Sequence, residues 1–312
     1  MLFGLLTFAL LASAITANKI ISYSMSPVLL VGIRMLLAGL ILLVLTITSF
    51  KNRLNINIIK NNFINLIIIT LCTNFLPSIL KAYSLKNLPS SNMAFFGALD
   101  PFITAIMAYF MFCEKLNRQE ILGIAIGFLG SLVLITNQLD FTDILIKLPE
   151  FAIILSITIS RFGWMQAQKL LKSDAIRPIQ LNAITMTLSG IISLFIALIS
   201  NKTNIISLSN CPITLFNYKI FKYLINYTGF NGVLIFFILY TTIIGNVIAY
   251  NLYGHLLKKY SSVYISLLSF SVPIFVYIYG ILFLNERLTL RFIIACIITF
   301  IGLTIFSCKK NK

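Results

Sequence analysis

Three charges in this chain lie where charges are expensive. Asp100, Arg161 and Arg34 sit inside apolar runs that start near residues 90, 151 and 27. At 1.5 Å of helix per residue, Asp100 and Arg161 are each roughly 15 Å along their runs and Arg34 roughly 11 Å. The three therefore belong to one narrow layer at membrane depth. Ionisable groups there must face a cavity or one another, and they mark binding sites by default. One carboxylate and two guanidinium groups leave the layer net positive. An anionic group such as a carboxylate could be held bidentate on Arg161 or Arg34. Asp100 could take an amine, or carry a proton during coupling. That chemistry suits a zwitterionic, amino-acid-like metabolite. The competing reading is a buried Asp100–Arg161 ion pair that only fixes helix packing.

Other polar groups could line the same cavity. Trp164, the only tryptophan, is one helical turn from Arg161 and could stack on a ring. Asn18, Lys19, Tyr83, Asn246 and Tyr250 lie within or at the ends of apolar runs, as do Asn74, Gln166, Gln168 and Asn251. Hydrogen bonding between helices is the alternative use for each. His255, the only histidine, falls just past an apolar run and reads as interfacial.

The elements that must position these residues are membrane spans. The chain of 312 residues is 59% hydrophobic and 10% charged, with a mean hydropathy of +0.98. A soluble domain carries about 25% charged residues. Ten apolar runs, each able to cross about 30 Å of hydrocarbon, cover roughly 2–22, 27–50, 62–80, 90–112, 120–137, 151–170, 178–200, 231–252, 262–284 and 289–308. Pro27, Pro149 and Pro178 mark span starts, where a missing N–H does no harm. The net charge of +16 reads as basic loops holding spans in place, not as a nucleic-acid surface. Five scattered cysteines form neither a disulfide framework nor a metal site. Leu2–Ala14 imitates a signal peptide but lacks a basic leader, and it reads as a retained first span.

With the N-terminus cytoplasmic, thirteen basic residues fall inside and nine outside, Lys81 among the nine; Arg34 and Arg161 lie within spans. That bias predicts both termini inside. The long polar segment 201–230 would then be an outer excursion.

The chain also repeats itself. Pro101, Glu114-Lys115-Leu116 and Gly130 recur 172 residues later as Pro273, Glu286-Arg287-Leu288 and Gly302. Ala17-Asn18-Lys19 resembles Ala167-Gln168-Lys169 at an offset of 150. Two related halves of five spans each, 1–148 and 149–312, must cross in opposite senses, an inverted repeat. Pro101 and Pro273 would kink their spans and act as hinges. Glu114 and Glu286 would lie at span ends on opposite faces. Gly123, Gly127 and Gly130 form a close-packing stripe whose partner the sequence does not name.

These features resemble the drug/metabolite transporter superfamily, most closely its EamA-type branch. The resemblance rests on ten spans, Lys19 at the end of the first, Arg34 early in the second, and the paired proline-to-glutamate pattern followed by Gly130 and Gly302. It implies an all-α membrane protein of ten transmembrane helices in two five-helix inverted repeats. It also implies a secondary transporter of small metabolites in the cell (inner or plasma) membrane, with no cofactor. An S-adenosylmethionine-like cargo would fit the charged layer, with a proton or an exchanged substrate as the coupling partner. The halves differ where chemistry is expected: Asp100 matches Val272, and Arg34 has no charged counterpart, Thr185 standing in the second half. No Walker A sequence, histidine pair or carboxylate cluster points to an ATP engine or an enzyme. The remaining alternative is a non-transporting membrane assembly protein.

Overall fold

A computed structural model describes residues 2–22, 25–48, 56–88, 96–97, 99–113, 117–135, 148–200, 231–284 and 290–307. Among them every regular element is a helix. With no water in hydrocarbon, backbone N–H and C=O groups must pair within the segment, and runs rich in Leu, Ile and Val do so as helices. The helices are α1 (Leu2–Ser22), α2 (Pro27–Thr48), α3 (Phe63–Asn87), α4 (Asp100–Phe112), α5 (Arg118–Ile135), α6 (Leu148–Lys172), α7 (Pro178–Ile199), α8 (Asn231–Lys259), α9 (Ser262–Leu268), α10 (Ser271–Leu284) and α11 (Leu290–Ser307). A short helix, Ile56–Asn61, precedes α3. Six of the described segments are long and apolar enough to cross a membrane. Large apolar side chains such as Val44, Phe110, Leu122, Phe195 and Ile297 point outward, more than half exposed. A water-soluble surface does not leave so much apolar area open.

Two spans are not simple α-helices. Thr70–Phe75 within α3 and Thr241–Ala249 within α8 are π-helical. Such widened turns often occur at functional sites. Asn74 and Asn246, 172 residues apart, lie in these two segments, both fully buried. Buried hydroxyls nearby are satisfied locally: Thr70 donates to the Leu66 carbonyl at 2.7 Å and Thr241 to that of Phe237 at 2.9 Å.

The expected mid-span proline kinks are corrected. Pro101 lies in the first turn of α4, and Pro273 in the first turn of α10. At the first turn a proline costs no hydrogen bond. The ninth span, expected to be continuous, is broken at Ser269–Phe270 between α9 and α10. Leu99 likewise forms a turn just before α4. Each proline thus follows a break in the chain and does not bend a continuous helix.

Helix pairing is reciprocal. α2 packs on α7, and α5 on α11. α3 packs on α6 and α7, while α8 packs on α1 and α2. α4 contacts α6, and α10 contacts α1. Small residues bring two of these pairs to backbone contact. A Cβ on Gly190 would stand 2.4 Å from the Leu36 nitrogen, and one on Gly302 would stand 2.6 Å from the Gly127 nitrogen. The glycine stripe on α5 therefore packs on α11 of the same chain. Ala295 and Thr299, 172 residues after Gly123 and Gly127, still admit this contact: Gly130 faces the Thr299 backbone.

Candidate substrate site

Two of the charges singled out in the sequence, Asp100 and Arg161, meet inside the bundle. Arg161, midway along α6, forms an ion pair through Nε with Asp100 Oδ1. The Asp100 side chain is buried, at 7% exposure, and that of Arg161 is mostly buried, at 17%. Arg161 Nη1 also donates to the Tyr253 hydroxyl on α8 at 2.6 Å. Asp100 is the first residue of α4, where the positive end of the helix dipole favours a carboxylate. Its Oδ2 accepts from the Ser269 hydroxyl at 3.2 Å. Ser269 occupies the break between α9 and α10, so the interrupted parts of two spans meet at this carboxylate.

Arg34 on α2 is held by neutral acceptors. Nη1 donates to Asn18 Oδ1 at 2.6 Å and Nη2 to Asn246 Oδ1 at 2.9 Å, while buried Nε has no hydrogen-bond partner among the described residues. The asparagine of the other π-helical segment, Asn74, donates to the Thr185 hydroxyl at 2.9 Å. Asn246 thus reaches Arg34 on α2, and Asn74 reaches Thr185 on α7.

Both guanidinium groups are already engaged. Arg161 spends Nε and one terminal nitrogen, and Arg34 spends both of its terminal nitrogens. The bidentate grip expected from Arg161 or Arg34 is not vacant in this conformation, and the ion-pair alternative is present as geometry.

Trp164 stands over Tyr253, with ring centroids 4.8 Å apart, and beside Tyr250 at 5.5 Å. Tyr250 is within electrostatic reach of Arg34 and Arg161. These rings join the two arginine clusters into one polar-aromatic centre. Tyr83 is half-buried and is not among them; its carbonyl accepts from Asn87. The Lys19 side chain, Glu114 and Glu286 lie outside the described residues.

The centre contains a charge that hydropathy assigns elsewhere. Lys81, expected in an outer loop, lies within α3, which continues to Asn87. It is within electrostatic reach of Arg161, Asp100 and Arg34. An apolar window stops at the first cation, so span counting ended the helix too early. Lys81 matches Tyr253 at the 172-residue offset, and that alignment was the available signal. Tyr253 and Ser269 were also not singled out from the sequence.

Polar ties flank the centre along α6. Near its start, the Ser84 hydroxyl donates to the Pro149 carbonyl at 2.8 Å, above a cluster of Leu85, Leu88 and Ile153. Near its end, Gln168 Nε2 donates to the carbonyls of Leu257 and Tyr260 at 2.8 and 2.7 Å, and Gln168 Oε1 accepts from Ser262. Lys258 pairs with Asp174 beyond it. Gln168 is therefore a structural tie and not a cavity residue.

The EamA-like transporter family matches residues 1–136 and 147–308. The chain belongs to that family. Membership places it in the drug/metabolite transporter superfamily, as the paired motifs implied. A relative from Chlamydia muridarum (strain MoPn / Nigg), called an S-adenosylmethionine/S-adenosylhomocysteine transporter, is 26% identical over 285 residues, covering 90% of this chain and 80% of that one. A transporter with the same description from Chlamydia trachomatis serovar L2 is 25% identical, covering 88% and 79%. An uncharacterized transporter of Acidianus ambivalens is 26% identical over 246 residues, covering 78% and 79%. A solved crystal structure superimposes with a TM-score of 0.69 at 13% identity, covering 98% of this chain and 94% of that one. That last likeness concerns fold alone. This EamA-like transporter is thus a multi-pass membrane protein.

Proposed function

We propose that the chain is a secondary transporter that moves an S-adenosylmethionine- or S-adenosylhomocysteine-like metabolite by alternating access. The observation that carries this reading is the central layer of Arg34, Asp100 and Arg161 closed by Trp164, Tyr250 and Tyr253. An adenosyl amino acid offers a ring to stack, an amine and a carboxylate. Aromatic faces and mixed charges suit that combination. The two chlamydial relatives carry such a cargo by their descriptions. Asp100 would receive the amine or carry a coupling proton; otherwise exchange for a second substrate molecule supplies the drive. A scaffold has little use for an arginine whose buried Nε finds no partner among the described residues, which favours transport over a purely structural role. Carriage rather than catalysis is the activity.

The architecture in this reading is two five-helix repeats of opposite sense, 1–148 and 149–312, in the cell membrane with both termini cytoplasmic. The reciprocal helix pairing and the matched Asn74 and Asn246 contacts support it. Glu114 and Glu286 then occupy opposite faces. Pro101 and Pro273 mark the paired breaks about which α4 and α10 would move. The ties at Ser84 and at Gln168 would open in turn.

The test is uptake by proteoliposomes containing the purified chain, challenged with S-adenosylmethionine, S-adenosylhomocysteine, free amino acids and nucleosides. Adenosyl amino acids are expected to accumulate above protein-free liposomes and to compete with one another. Flux of amino acids or nucleosides alone would overturn the assignment of cargo. Flux of none would overturn transport.

A further inference from the structure

We propose that Lys81 is the residue that holds the carboxylate of the cargo. This rests on the transporter reading, and it reassigns the anion-binding role from the two arginines. Three cations share the centre, and they differ in how they are engaged. Arg161 is tied to Asp100 and Tyr253. Arg34 has both terminal nitrogens on asparagines. Lys81 makes no hydrogen bond or ion pair among the described residues, yet it lies close enough to Arg161, Asp100 and Arg34 to feel all three charges. Asp100 neutralises one cation, so two positive charges remain uncompensated in the described centre. An uncompensated pair of cations at membrane depth needs an anion.

Position supports the same assignment. Lys81 is exposed, yet it lies within a spanning helix and within electrostatic reach of Asp100, Arg161 and Arg34. The antiparallel register of α3 and α6, with the Pro77 carbonyl accepting from Ser156 and the Pro149 carbonyl from Ser84, sets Lys81 between the charged layer and the Leu148 end of α6. Cargo arriving from that end meets Lys81 before Arg161. Where the second half carries Tyr253, which accepts from Arg161, the first half carries this lysine, so the cation is a point of difference between halves. An ammonium on a four-carbon stem can follow a carboxylate as the surrounding helices move, which a guanidinium fixed by two acceptors does not do.

The single tryptophan gives a direct readout, because Trp164 is packed in the aromatic cluster of the same centre. Its fluorescence is titrated with S-adenosylhomocysteine and with 5′-methylthioadenosine, which keeps the ring and sulfur but lacks the amino-acid carboxylate. Lys81 is exposed, so Lys81→Gln and Lys81→Arg leave the packing intact, which elution as a single species verifies. Lys81→Gln is expected to weaken S-adenosylhomocysteine roughly tenfold, the scale of one charge-assisted hydrogen bond, and to leave 5′-methylthioadenosine unchanged. Lys81→Arg is expected to retain most of the difference. Equal weakening of both ligands, or of neither, would overturn the proposal. If the wild type binds no adenosyl compound but shows Lys81-dependent binding of other carboxylates, the adenosyl cargo falls and the role of Lys81 stands.

Discussion

Arg161→Ala is expected to abolish transport, by at least roughly 100-fold, and to lower thermal stability as well. The substitution removes the partner of a buried carboxylate. Breaking a buried ion pair from one side costs about 3–5 kcal/mol, because the remaining charge stays desolvated. It also leaves the Tyr253 hydroxyl and one end of the aromatic cluster without their anchor. The single variant alone would not separate a packing pair from a working site. The neutral pair Arg161→Gln with Asp100→Asn does. Replacing both partners removes the uncompensated charge, so melting in detergent should return close to wild type. Uptake should not return, because the carboxylate that receives an amine or a proton is gone. Recovery of transport together with stability would show that the pair serves packing only. Wild-type uptake in both Arg161→Ala and Asp100→Asn at normal expression would sink the site altogether.

Enlarging the contact glycines should have the other large effect. A Cβ at Gly190 meets the Leu36 backbone at 2.4 Å, and one at Gly302 meets Gly127 at 2.6 Å and the Gly123 carbonyl at 2.8 Å. The obstructing atoms are main chain, which cannot rotate away, so whole helices must separate. Gly190→Leu and Gly302→Leu are expected to yield little monodisperse protein on size-exclusion chromatography. Overpacking of a core costs about 1–3 kcal/mol where side chains can adjust, and more where they cannot. Gly97→Ala is the control, since a Cβ there would meet nothing within 4 Å among the described residues. Normal elution of both leucine variants would mean that α2–α7 and α5–α11 do not meet as described.

The repeated residues foretold more of the frame than of the site. Pro101 and Pro273 marked matching positions, although the structure uses them to start helices after a break and not to bend continuous ones. Asp100, Arg161 and Arg34 could be placed in one layer from their depth alone, because a charge inside an apolar run has few permitted surroundings. Lys81 escaped that argument for the same physical reason. A cation near the end of an apolar run reads as its boundary, and only the continuation of α3 to Asn87 places it within the span. The engagement of Arg34 by Asn18 and Asn246 was equally hidden, since it joins residues 16 and 212 positions away. The π-helical turns that aim Asn74 and Asn246 have no apolar period of their own to announce them.

The central claim is that the charged layer carries an adenosyl amino acid across the membrane. Counterflow tests it most directly: labelled S-adenosylmethionine is presented at trace concentration to proteoliposomes preloaded with unlabelled S-adenosylhomocysteine. Transient accumulation of label well above that in unloaded vesicles, lost in Arg161→Ala, is the expected result. Equal label in loaded, unloaded and protein-free vesicles would contradict the account.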